Sequence, residues 1–184
     1  MEDEYLIEKL TTREPIYNGR IIDLEKWFVT LPNGAPALRE VVVHRGASAI
    51  VPVDADGNTY LVRQYRAPVG CVLTEIPAGK LDCAGEDRLE AAKRELREET
   101  GFTAKEWTHL VDLKTTPGFA TEVISVYLAR GLTRGETDFD DDEFIDLVKL
   151  PLCEAANMAY SGELTDAKTV VGLLLAKKHV DGEG

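Results

Sequence analysis

Residues 75–102, EIPAGKLDCAGEDRLEAAKRELREETGF, join a glycine-containing loop to a helix predicted over roughly 87–100. At 100° per residue, Glu98 lies about 60° to one side of Glu95, and Glu99 about 40° to the other. Three carboxylates therefore share one face. Leu89, Ala92 and Leu96 fall together on the adjacent face and are predicted to pack into a core. Like charges at these spacings oppose helix formation by roughly 0.2–0.5 kcal/mol per pair. The cluster needs a compensating cation, or solvent together with the nearby Arg94 and Arg97. An all-oxygen donor set of this kind suits a hard ion such as Mg²⁺ or Mn²⁺.

Working outward, Gly79, Glu86 and then Arg94-Glu95-Leu96-Arg97-Glu98-Glu99-Thr100-Gly101-Phe102 resemble the Nudix box, G-x5-E-x7-R-E-U-x-E-E-x-G-U, where U is a bulky apolar residue. From Glu86 to Phe102 every specified position matches. Upstream, six residues rather than five separate Gly79 from Glu86, and Cys83-Ala84 reads as one extra residue in a loop, where insertions cost little.

At 184 residues, with 44% hydrophobic residues, one domain with a sizeable core is the default expectation. A formal charge of −12 argues against a nucleic-acid or anionic-membrane surface, but leaves room for a nucleotide held by a few local cations. The start, Met1-Glu2-Asp3-Glu4, lacks the basic and apolar regions of a signal peptide, and no run has the length of a membrane span. Cys71, Cys83 and Cys153 form no CxxC pair and are expected to be free buried thiols. The expected location is the cytoplasm.

Along the chain, Arg20–Leu31 and Leu38–His44 read as strands around the Pro32-Asn33-Gly34 turn, an N-terminal antiparallel extension over residues 1–45. Further strands are predicted at Ser48–Val53, Tyr60–Arg66, Thr108–Leu113, Glu122–Ala129 and Phe144–Leu150. Helices are predicted from Pro151 to about Tyr160 and from Ala167 to about His179. Mixed strands and helices make this an α/β (α+β) chain. The resemblance sharpens that to an α/β/α sandwich with a mixed sheet over residues 46–184, carrying the β extension.

The resemblance also implies divalent-metal-dependent hydrolysis of a nucleoside diphosphate linked to another group. By position, Glu95, Glu98 and Glu99 are metal ligands, with the Ala78 carbonyl as an additional one and Glu86 as an outer ligand or loop anchor. Arg94 orients the glutamates by ion pairing. Thr116-Pro117-Gly118-Phe119-Ala120-Thr121-Glu122 is similar to the S/T-P-G-F-T-x-E segment of the ADP-ribose pyrophosphatase branch. So are Glu75–Asp82, Asp142-Glu143-Phe144 and Asp166-Ala167-Lys168-Thr169. Pro117, Gly118 and Phe119 thus become substrate-binding expectations. Glu143 matches the branch's general base, with Asp142 as the spare; the alternative is that residues 136–143 form only a solvated acidic loop. Catalysis is expected from Glu143, Arg94 and Glu98.

A diphosphate needs cations. Arg66 is the first choice, with Arg39 and Arg63 weaker. Tyr17, Trp27, Phe28 and Phe119 are available to stack on adenine, each also explicable as core. The branch further implies a homodimer built through residues 1–45, and a small nucleotide-sugar substrate. Alternatives are a pyrophosphatase for another nucleotide sugar such as GDP-mannose, or a non-catalytic ADP-ribose-binding module.

Overall fold

The computed structural model describes residues 3–83, 85–135 and 144–182. Two compact units emerge, Met1–Gly46 with Lys114–Glu122, and Ala47–Leu113 with Val123–Gly184.

In the first unit, β1 (Lys9–Asn18), β2 (Asp23–Thr30) and β3 (Pro36–Val43) form an antiparallel sheet in that order. The expected turn is present, with Gly34 N–H donating to the Leu31 carbonyl and Asn33 Oδ1 accepting from Ala35 N–H. β1 extends the expected hairpin by a third strand. Every one of its residues is exposed, so KLTTREPIYN offers no buried apolar alternation from which a strand could be read. Residues 114–122 group with this unit. Val42 N–H donates to the Phe119 carbonyl at 2.8 Å, and Thr121 N–H to the Val42 carbonyl at 3.0 Å.

The second unit contains β4 (Ala47–Pro52), β5 (Asn58–Arg66), β6 (Cys71–Glu75), β7 (Ala78–Lys80), α1 (Arg88–Thr100), β8 (Phe102–Thr103), β9 (Glu106–Lys114), β10 (Val123–Arg130), β11 (Thr133–Arg134), β12 (Asp146–Pro151), α2 (Leu152–Ser161) and α3 (Ala167–Gly182). A mixed sheet runs β7-β4-β10-β9, with β4 and β10 parallel and β4 and β7 antiparallel. A second sheet, β12-β5-β6, is antiparallel.

Successive side chains of a strand point to opposite faces, and β4 feeds two cores in that way. Ala49 and Val51 pack with Leu173 and Ala176 of α3, whereas Ile50 packs with Ala92 and Leu96 of α1. All six residues of β4 are buried, which explains why all but Ser48 are apolar. The sheet therefore lies between α1 and α3, the expected α/β/α sandwich.

The cysteine expectation is corrected. Cys71, Cys83 and Cys153 are free but exposed, at the start of a strand, in a loop and on the outer face of α2. No helix of the described residues is long and apolar enough to cross a membrane.

Candidate active site

The site is built on α1. Asp87 caps its start, accepting from the amides of Leu89 and Glu90 at 2.9 and 3.0 Å. Gly101 ends it in the left-handed region, φ 72°, and returns its N–H to the Arg97 carbonyl. Between these caps Glu95 and Glu99 are buried and Glu98 is half-buried, so the acidic face is not the solvated surface that charge alone would suggest.

What covers it is the stretch Glu75–Lys80. Ala78 N–H donates to Glu99 Oε2 at 3.0 Å. Gly79 lies against the Glu95 carboxylate so closely that a Cβ there would stand 1.9 Å from Oε1. Glycine at this point of the motif is thus a requirement of space.

Arg94 reaches into the same group. Its Nη1 lies 2.6 Å from Glu95 Oε1 and 3.1 Å from Glu98 Oε2, and Nη2 donates to the Lys80 carbonyl at 3.2 Å. Asp82 and Glu86 approach at 3.4 and 3.6 Å. Burial works against the guanidinium's charge, but Glu95, Asp82 and Glu98 outweigh it and raise its pKa above the usual arginine value. Glu86 also accepts from Asp82 N–H at 2.6 Å. Glu86 is thereby tied back to Asp82 while it still faces Arg94.

The side chains fit a hard divalent cation. The donors are carboxylate oxygens, the glycine cradle keeps a side chain out, and the single positive charge of Arg94 is outnumbered by the carboxylates around it. Among the described residues no three acidic, histidine or cysteine side chains form a preclosed cage, and Arg94 Nη1 bonds to both Glu95 and Glu98.

Arg66, the first-choice phosphate contact, is held edge-on by Glu75, with Nε to Oε1 at 2.7 Å and Nη2 to Oε2 at 2.9 Å. Glu75 is also bonded by Lys168, which reaches Asp166 Oδ2 at 3.0 Å. Asp166 accepts from Thr169 N–H and Oγ1–H, and Thr169 Oγ1 in turn accepts from Ile76 N–H at 2.9 Å. Sequence reasoning assigned no role to Glu75, Lys168 or Thr169. Their only signals were a glutamate ending an apolar strand and the quoted Asp166–Thr169 segment.

The remaining candidates divide. In the first unit a recess of about 310 Å³ is lined by Glu8, Trp27, Arg39, Pro117, Gly118 and Phe119 among others. Arg39 there is paired with Glu8, and one face of Trp27 lies under Arg13, whose guanidinium carbon is 4.3 Å from the ring centre. Tyr17 and Phe28 do not line it. Arg63 is exposed on β5. Glu143 and Asp142 lie outside the described residues.

A model of the NUDIX domain matches residues 43–170. The chain is 41% identical over 168 residues to the methanol dehydrogenase activator of Bacillus methanolicus, covering 90% of each. It is 41% identical over 170 residues to the ADP-ribose pyrophosphatase of Bacillus subtilis (strain 168), covering 91% of each. A solved structure of an ADP compounds hydrolase superposes with a TM-score of 0.83 at 26% identity, covering 96% of both chains. With its fold, its box from Gly79 to Phe102 and these likenesses in agreement, the chain belongs to the Nudix family.

Proposed function

We propose that this protein hydrolyses the pyrophosphate of ADP-ribose and related ADP-sugars, giving AMP and a sugar phosphate. The observation that carries the proposal is the acidic face of α1, where Glu95 packs under Gly79, Glu99 accepts from Ala78 N–H, and Arg94 bonds Glu95 and Glu98. The substrate assignment draws on the likeness to the Bacillus subtilis ADP-ribose pyrophosphatase, which spans nearly the whole of both chains.

In this reading Glu95, Glu98 and Glu99, with the Ala78 carbonyl, hold Mg²⁺ or Mn²⁺, and Glu86 supports them from outside. When bound, the ion neutralises charge on the diphosphate and acidifies water. Water adds to one phosphorus, the bond from that phosphorus to the bridging oxygen breaks, and the bridging oxygen leaves with the second phosphate. Glu143 accepts the proton of the attacking water. Arg66, held by Glu75 through two of its three nitrogens, directs its remaining Nη1 donors to the diphosphate. Arg94 keeps Glu95 and Glu98 in place.

The recess of Trp27, Arg39, Pro117, Gly118 and Phe119 is assigned to substrate recognition, since an aromatic wall and a guanidinium suit a purine nucleotide. A homodimer is supported by β1–β3, where Leu10, Ile16, Phe28 and Leu38 stand exposed. Three exposed free thiols fit a cytoplasmic location.

The test is a panel of ADP-ribose, other ADP-sugars and GDP-mannose, assayed with Mg²⁺, Mn²⁺ and EDTA, with product identification. ADP-ribose is expected to give AMP and ribose 5-phosphate only with a metal present. Faster cleavage of GDP-mannose would overturn the substrate, and full turnover in EDTA would overturn the metal.

A further inference from the structure

We propose that Lys168, a residue outside the Nudix box, is a positioning residue for diphosphate recognition, acting through Glu75 to hold Arg66 ready for an anion. The inference rests on the ADP-sugar hydrolase reading above.

Glu75 is 1% exposed and Lys168 8% exposed, so neither is a solvated surface group. A buried carboxylate is tolerated only when its charge is met and its oxygens are bonded. Arg66 alone would meet that need, since its bidentate grip satisfies both oxygens. Yet a second cation is buried on the same carboxylate, and it bridges to Asp166 as well.

The charges explain why. Arg66 and Lys168 balance Glu75 and Asp166, so the four groups together are neutral. Without Lys168 they carry one net negative charge at the place where a diphosphate must be received. Arg66 would then be the one cation of the group set against two carboxylates. With Lys168 present, its Nη1 has no partner among the described residues and its side chain stays 38% exposed. The guanidinium's pKa is raised by its hydrogen bonds to Glu75 against burial, and by the charges of Glu75, Glu99 and Asp166. Glu99 is one of the proposed metal ligands, so Arg66 and the metal face share one field.

The backbone is tied in the same place. The Asp166–Thr169–Ile76 bonds pin the residue next to Glu75 to the start of α3, and Ala78 two residues on is bonded to Glu99. A shift of Lys168 would thus be felt at the carboxylate that aims Arg66.

The experiment is a double-mutant cycle on the full chain with Lys168→Met, Arg66→Met and their combination, plus Lys168→Arg as the conservative variant. The readouts are kcat and KM for ADP-ribose with Mg²⁺, the Kd of ADP by calorimetry, and thermal unfolding. Lys168→Met is expected to raise both KM and the ADP Kd by about tenfold while kcat changes less than about threefold. Lys168→Arg should recover most of that loss. In the Arg66→Met background, Lys168→Met should add less than about twofold. Equal effects in both backgrounds, or a lowered melting temperature with KM and the ADP Kd unmoved, would overturn the proposal and leave Lys168 a stabilising residue only. Should Lys168→Met not fold, Lys168→Gln, which keeps a donor for Glu75 but no charge, takes its place in the same cycle. Failure of the wild-type chain to hydrolyse ADP-ribose would sink the parent reading instead, while the ADP-binding cycle still reports the coupling of Lys168 to Arg66.

Discussion

Gly79 and Glu95 are packed so tightly that a Cβ on the glycine would fall 1.9 Å from Oε1 of the carboxylate and 2.0 Å from its carbon. The atoms in the way belong to the far end of a flexible side chain, so Gly79→Ala should expel the carboxylate before it unfolds the strand. Glu95 would lose its bond to Arg94 and its place among the proposed ligands. The expected outcome is a loss of at least about 100-fold in kcat with a modest fall in stability, on the order of 1–3 kcal/mol. Circular dichroism gives the stability, and Mn²⁺ titration by electron paramagnetic resonance reads the site without turnover. Unchanged Mn²⁺ affinity in this variant would remove Glu95 from the ligand set.

Arg94 stands among Glu95, Glu98, Asp82 and Glu86, where it is the nearest cation to two partly buried carboxylates. Arg94→Gln leaves those charges facing one another. Because the side chain is a quarter exposed, water offsets part of the loss, and the expected cost in EDTA is roughly 1–2 kcal/mol, or about 2–8 °C in melting temperature. A divalent ion can stand in for the missing guanidinium, so Mg²⁺ should raise the melting temperature of the variant more than that of the wild type. Equal Mg²⁺ shifts in the two proteins would show that these carboxylates do not share the ion.

The Asp54 turn sets a dependence on pH away from the active site. Its carboxylate accepts from Asn58 N–H at 2.8 Å and Tyr60 O–H at 2.9 Å, and Lys149 Nζ lies 2.9 Å away. Burial opposes the charge, but these three partners outweigh it and hold the Asp54 pKa well below its ordinary 3.8. A carboxylate with a depressed folded value contributes stability that is fully present above the unfolded value and is lost as pH falls through the folded one. Asp54→Asn should therefore be less stable than the wild type by a constant amount at neutral pH, with the gap closing only below about pH 4. Urea unfolding midpoints across the acid range measure this. A gap independent of pH down to the acid limit would mean that the carboxylate's charge plays no part in holding the turn.

The parts of the fold that could be read from sequence are those where one spacing rule governs many residues. α1 is delimited by Asp87 and Gly101 and carries glutamates on a shared face, all local properties. β4 and most of β10 are buried and write themselves as mostly apolar runs. β1 had no such rule to obey, because all ten of its residues are exposed. The burial of Glu95 and Glu99 could not be read either, since it depends on Gly79 arriving from another strand. Lys168 and Glu75 are 93 residues apart, and only the packing of α3 against the sheet region brings them together. The three cysteines went the other way: small thiols favour interiors on average, but here each falls at a strand start, a loop or an outward helix face.

Phe28 and Leu38 stand directly opposite each other in the β2–β3 register, and both are exposed, at 41% and 46%. Leu24 and Val42, also paired and lying on the same face by strand periodicity, are only half-buried. A sheet face that stays apolar and unburied in the single chain is suited to a second copy, and a self-complementary patch is the usual form of a twofold interface. Phe28→Glu combined with Leu38→Glu places two like charges opposite one another on that face. The wild type is expected to sediment as a dimer and the double variant as a monomer, with far-ultraviolet circular dichroism unchanged. Phe28→Leu, which keeps the face apolar, should stay dimeric. A wild type that sediments as a monomer at every concentration would refute the homodimer. A double variant that remains a dimer would show that the contact lies on another face, because two buried like charges facing a second copy of themselves could not be accommodated at the interface.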